Sequence, residues 1–411
     1  MPKPHKLGWC SCGTRFFLGW SAHFTHHLSY FLASSFFPIQ EAINADLIAD
    51  QTTHVAMTAT STPQAKSLFR LVPEGFVSMK KESFDDSGDL QLIVGAEGSP
   101  EITTFTVCSR ALSRGSPVFR RMLNGPWTEK QPLDGSAWTV KLPEDHPSSM
   151  RVLLGILHAH FRHVHPIWPI LQLYQLCVCA DKYDITQPLS PWAASWCMQT
   201  RMTPRATTED NAQAAWIAWV LGDKELLEMA TKELVWKSKP ASLRSMTAPC
   251  LVHLDSTGIL ERVKGTQRVK AARFVETLQD IWRQYLPSQA LGNICVESSY
   301  SASSEDKKCC GILILGSLTA SLNSAGLLPS SKPPKYEDIT LHDLGDSGRR
   351  IAQEIVTRPS RGSNTHKSCG PGLKILLAAN TIQNPATILT DADCEHLSKR
   401  AKEIGVVHSL F

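Results

Sequence analysis

Histidine and cysteine are the residues in this chain best placed to do chemistry. His158, His160, His163 and His165 follow one another closely, and Cys177 and Cys179 come after them. Imidazole and thiolate are the usual ligands of zinc. A helix turns residues i and i+2 to different sides, so Cys177 and Cys179 are poorly placed to share an ion. That cluster reads as a histidine-rich helix with its exit loop. A stronger set lies further on: Cys295, Cys309, Cys310 and the His366-x-x-Cys369 pair, placed in loops or at helix starts. Three thiolates and one imidazole, from Cys295, Cys310, His366 and Cys369, suit a tetrahedral zinc site that pins two long loops. Such an ion is structural rather than catalytic. The paired Cys-x-x-Cys spacing of a zinc knuckle is absent, and the rival reading is free thiols with a surface histidine.

Motifs for covalent or phosphate chemistry are missing. The chain has no Gly-x-Ser-x-Gly, phosphate-binding loop, Gly-x-Gly-x-x-Gly or His-Glu-x-x-His. We therefore expect no enzymatic activity, no catalytic residues and no cofactor beyond the structural zinc. Of the eleven tryptophans, Trp192, Trp196, Trp216, Trp219, Trp236 and Trp282 raise the question of an RNA-stacking surface. Basic residues do not interleave with them, and the Trp192/Trp196 spacing predicts packing between helices.

Composition narrows the class. The 411 residues are 42% hydrophobic and 19% charged, enough for two or three domains with packed cores. A net charge of +4 supplies no field toward nucleic acid or membrane. Twelve cysteines are too sparse for a disulfide scaffold of this length, which points to a reducing compartment, nuclear or cytoplasmic. No apolar run reaches membrane-spanning length; in the nearest, 16–37, His23, His26 and His27 intervene. Residues 1–40 contain no acid and resemble a targeting peptide in part, without a clean cleavage site. Residues 1–83 are expected to be a poorly ordered extension, with an amphipathic helix at most.

The pattern sharpens after residue 83. Leu90, Leu92 and Val94 alternate, as do Phe105 and Val107, and Gly95 to Pro100 carries turn chemistry, so a β-hairpin is predicted. Gly115 separates two short helices; Ser116 and Pro117 form an N-cap with proline at the first helical position. Trp138, Val140 and Leu142 predict a third strand. Pro147 and Pro169 open helices with buried stripes at Met150, Leu153, Leu154, Leu157 and Phe161, and at Leu173, Leu176, Cys177 and Ala180. The order strand, strand, helix, helix, strand, helix, helix is α+β. Beyond Pro188 helices are predicted near 191–200, 209–221, 223–236, 267–285 (with Phe274, Leu278, Ile281 and Tyr285 on one face), 312–322, 347–356, 372–379 and 391–404, the last opened by Thr390 with Asp393 in capping-box register. A serine-rich loop is predicted over 296–306 and a linker over 329–335.

The stretch Asp89 to Tyr183 resembles the BTB/POZ family. The resemblance is carried by Gly-Asp89-Leu-Gln-Leu-Ile-Val, Phe105-Thr-Val-Cys108-Ser-Arg-Ala-Leu112, Gly115-Ser-Pro-Val-Phe119-Arg-Arg-Met-Leu123, Trp138-Thr-Val-Lys-Leu142-Pro-Glu-Asp and Ala180-Asp-Lys-Tyr183. It departs at Cys108-Ser109, where many members have His-Arg. Beyond it, Trp216-Ile-Ala-Trp-Val-Leu-Gly-Asp223 and Leu313-Ile-Leu-Gly-Ser-Leu318 look like fungal BTB proteins with a long helical C-terminal half. Similar Cys and His-x-x-Cys elements belong to that group.

The resemblance implies a BTB/POZ domain over 84–188, a small sheet of three or more strands flanked by helices. A helical extension over 189–290 and a helical C-terminal region over 291–411 would follow it. It implies a protein-interaction adaptor, self-association with Asp89, Leu90 and Leu92 near the interface, and a cullin-type ubiquitin ligase scaffold as partner. No direct nucleic-acid or membrane contact is expected. The alternatives are a nuclear factor that recruits corepressors, or an enzyme of unrecognised type.

Overall fold

Alternating apolar and polar residues build the sheet. In the computed structural model, strands β1 (Lys80–Ser83), β2 (Leu90–Val94), β3 (Thr103–Val107) and β4 (Thr139–Leu142) lie in the order β1-β3-β2-β4. β2 and β3 form the antiparallel hairpin that the turn residues predict, while β4 runs parallel to β2 and β1 parallel to β3. Leu92 stands opposite both Phe105 and Val140, so the period-two apolar positions of three strands share one buried face. The structure describes residues 80–245, 247–286, 295, 303–329, 338–357, 365–383 and 387–406, all within the unit Glu74–Phe411.

Of the extension expected over 1–83, residues 1–79 lie outside the described residues, including the targeting-like stretch. Lys80–Ser83, however, are strand β1, so the sheet begins earlier than the expected boundary at 84. The segment Lys-Lys-Glu-Ser carries no apolar alternation because it is an exposed edge strand. Tertiary contacts pin it instead. Phe84 is buried against Phe105, and Glu82 pairs with Arg151 at 2.6 Å.

Helices α1 (Ser109–Gly115), α2 (Pro117–Asn124), α3 (Pro147–Leu157) and α4 (Ile170–Lys182) cover the sheet. The Ser116 hydroxyl accepts from the Phe119 N–H at 2.9 Å, as its capping position predicts. α5 (Ser190–Met202), α6 (Thr208–Leu221), α7 (Lys224–Lys237), α8 (Pro240–Ser245), α9 (Pro249–Ser256) and α10 (Ile259–Arg283) follow. α8 and α9 are short helices that the apolar pattern does not reveal, and α10 starts well before residue 267. α11 (Ser304–Ser324), α12 (Leu341–Glu354), α13 (Gly372–Gln383) and α14 (Asp391–Ile404) complete the chain.

α11 takes in residues 304–306 of the expected loop, because Ser303 and Asp306 close a capping box there. Residues 296–302 of that loop and 330–335 of the linker lie outside the described residues. α14 opens, as expected, on a capping box of Thr390 and Asp393. It returns to the end of α6, where Gly222 has φ 78° and a Cβ would sit 2.5 Å from the Ala401 backbone nitrogen. Among the described residues no helix is long and apolar enough to cross a membrane.

Candidate metal centre

Four of the five thiol and imidazole candidates in the C-terminal half meet. Cys295, Cys310, His366 and Cys369 are all buried, and their ligand atoms lie within 4.8 Å of one another. Cys295 is 3.4 Å from His366, measured Sγ to Nδ1; Cys369 Sγ is 3.7 Å from Cys295 Sγ and 3.7 Å from His366 Nδ1. A tetrahedral ion with Zn–S of about 2.3 Å and Zn–N of about 2.0–2.1 Å sets S···S near 3.8 Å and S···N near 3.6 Å. The three edges among Cys295, His366 and Cys369 match those of such a tetrahedron, and Cys310 completes the set within 4.8 Å.

Local structure explains how the ligands are presented. Thr365–Ser368 form a 3-10 turn, and the Cys369 N–H donates to the His366 carbonyl at 3.1 Å. Residues three apart stack in that geometry, so His366 and Cys369 face the same side. Cys310 lies early in α11, past its capping box, and is fully buried. Cys309 is its helical neighbour, turned roughly 100° away, and does not join the cluster.

Further bonds hold these elements together. Trp282 on α10 donates through its indole N–H to Thr319 Oγ1 on α11 at 2.9 Å, and the Val356 N–H after α12 donates to Ser317 Oγ at 3.0 Å. Tyr285, just past α10, is a neighbour that helical spacing placed on an apolar face but not beside this cluster. Its hydroxyl is pushed above the usual phenol value, first by burial and then by Cys369 and Cys310 beside it. Its only signal in the sequence is its place at the end of the Phe274, Leu278, Ile281 stripe.

The other histidine and cysteine group does not assemble. His158 accepts the Cys108 N–H on Nε2 at 3.0 Å and shares its Nδ1 proton with the Leu154 carbonyl at 2.8 Å. Burial lowers its affinity for a second proton. His160 and His163 lie against Phe84, and His165 against Trp168. Cys177 and Cys179 are buried thiols, the latter pushed up to about 12 by burial and then by Asp145. None of the ten described cysteines is in a disulfide. Trp192 and Trp196 stack on one another with centroids 6.2 Å apart, and Trp196 is fully buried.

Of the three interface residues that the family resemblance implies, Leu90 and Leu92 face inward, while Asp89 stays at the surface. Leu90 and Leu92 have no exposed surface, because they form the inner face of β2 and fill this chain's own core. They have no area left for a partner. Asp89 is exposed, though engaged locally. Its carboxylate accepts the Ser109 N–H at 2.8 Å and the Ser109 hydroxyl at 2.6 Å, serving the start of α1, whose Cys108 side chain supplies no cap.

A second buried polar cluster links distant motifs. The Ser116 hydroxyl donates to the Tyr183 carbonyl at 2.6 Å while capping α2. The Phe119 ring stacks on Tyr183, centroids 4.4 Å apart and planes within 3°. The Tyr183 hydroxyl donates to the buried Asp145 carboxylate, which also pairs with Lys182 at 2.8 Å. Burial, followed by the Asp145 charge, pushes the phenol far above its usual value, so it remains a donor.

Comparison with protein-family profiles, curated proteins and solved structures finds no match for the chain.

Proposed function

We propose that the chain is a non-enzymatic protein-interaction module of BTB/POZ type, with a helical C-terminal half clamped by one structural zinc ion. The observation that carries the first part is the convergence at Tyr183. Ser116, Phe119, Asp145, Lys182 and Tyr183 come from three of the motifs that resemble the family. They meet through hydrogen bonds, an ion pair and a ring stack in one cluster that is buried apart from the exposed Lys182. The paired strands, two short helices, further strand and two helices around them follow the order that the family implies.

The stretch 161–171, from the connection after α3 into the first turn of α4, adds support. Phe161 (52% exposed), Ile167 (70%) and Leu171 (48%) hold apolar side chains in solvent, as a surface for another polypeptide does. With Leu90 and Leu92 inside, such exposed side chains and the open sheet edge are what the sheet-containing half offers a partner. A cullin-type scaffold is the preferred heterologous partner, and a corepressor is the alternative.

The zinc assignment rests on the donor set. Three cysteines and one histidine fill a tetrahedron, leaving no position for substrate, and all four are buried. The ion would hold the segment after α10, the start of α11 and the turn before α13 together.

The test of the interaction role is light scattering on the full chain at tens of micromolar, alongside proximity labelling in cells. A dimer, or recovery of a cullin, is expected. A strict monomer that labels neither cullin nor corepressor would remove the proposal.

A further inference from the structure

A groove of about 820 Å³ runs between α10 and α13, away from both the sheet and the cysteine cluster. We infer that this groove is a docking site for an acidic, amphipathic helix of a partner protein. The inference does not depend on the BTB/POZ reading.

The shape is elongated. Its wall on α10 extends from Arg262 to Thr277, a length of about 22 Å at 1.5 Å per residue. A ligand that long is about four turns of helix, whereas a compact molecule would leave most of the wall uncovered. Its apolar lining includes Val269, Leu377 and Ile388. Val269 is 66% exposed and Leu377 58%, so large apolar side chains stand in water along a groove, the setting in which helices dock through an apolar stripe.

Charge selects the kind of helix. Arg262, Lys270, Arg273 and Lys374 line the groove, and among the described residues no Asp or Glu does. Arg262 is engaged by Asp393 at 2.6 Å and by the Ile388 carbonyl at 3.2 Å. Arg273 and Lys374 form no ion pair among the described residues. Burial first, and then the Arg273 charge, lower the proton affinity of Lys270. Carboxylates flanking an apolar stripe would complement Arg273 and Lys374.

Gly265 points the same way. A glycine inside a helix costs about 1 kcal/mol relative to alanine. At Gly265 an added Cβ would meet nothing within 4 Å among the described residues, so their packing does not require the small residue. Its place in the groove lining leaves room for a close-approaching helix.

The test uses the full chain and a labelled synthetic helix of about fifteen residues, with leucines at i, i+4, i+7 and i+11 and glutamates beside them. Fluorescence anisotropy should report a dissociation constant on the order of micromolar at low salt. Replacing its glutamates by lysines should weaken binding by about tenfold or more, as should Gly265→Leu or the double change Arg273→Glu with Lys374→Glu. Gly265→Leu enters open space and favours the helix, so its thermal midpoint should not fall; that separates blocking from unfolding. Absence of binding, equal binding of the lysine peptide, or unchanged affinity in Gly265→Leu would overturn the inference. So would saturation of the groove by dodecanoate with no peptide binding, which would assign it to a fatty acyl ligand.

Discussion

Cys310→Ala separates a metal centre from a cluster of thiols. If the four side chains hold an ion, Cys310 ties the start of α11 to the rest, closing about 15 residues of chain back to Cys295. Treated like a covalent cross-link, a loop of that length contributes about 3 kcal/mol by restricting the unfolded chain. Loss of the buried sulfur itself costs roughly 1 kcal/mol. The metal-bound protein should therefore lose about 4 kcal/mol, and the metal-free protein only about 1. Chelation of the wild type should cost more than the substitution, because it also frees the roughly 56-residue connection from Cys310 to His366. The assay is equilibrium urea denaturation of wild type and variant, each with and without chelator, after elemental analysis for one zinc per chain. A wild type that chelator leaves unchanged, with a variant loss near 1 kcal/mol, would refute the assignment.

Ser116→Ala should destabilise the protein by about 1–3 kcal/mol, because one buried hydroxyl both caps α2 and satisfies the Tyr183 carbonyl. Urea denaturation measures it, and a change below about 0.5 kcal/mol would show that water replaces both bonds. His158 sets a pH dependence. Burial, the main cause, depresses its folded pKa below the ordinary value near 6.5, so the unfolded chain takes up the proton first as pH falls. Stability from this ring is present above about pH 6.5 and is lost as pH falls through the folded pKa. Because the ring is only half-buried, the slope should stay below about 1 kcal/mol per pH unit. Thermal midpoints between pH 7.5 and 5 check the sign, and His158→Gln should flatten that decline.

Local structure was largely legible in the chain. Strand alternation at Leu90, Leu92, Val94, Phe105, Val107, Val140 and Leu142, the Ser116-Pro117 cap, and the capping box at Thr390 all report short-range physics. Each is encoded within a few residues, so one sequence suffices to read it. The zinc-type donor set was legible by residue type and by its placement in loops and at helix starts. β1 was not, because an edge strand bears no apolar period, and neither were α8 and α9, which are too short to show one.

Tertiary structure alone decided which distant groups meet. Cys310 and not Cys309 faces His366 because of the phase of α11, and that phase is set by what α11 packs against. The inner face of β2 took Leu90 and Leu92 from the expected interface, while β1 came to lie beside β3. The sequence by itself determined most of the elements and the caps at Ser116 and Thr390, since those depend on neighbours along the chain. The pairing of residues dozens apart awaited the fold, because such contacts form only when burial of the whole core outweighs the entropy of closing the loops between them.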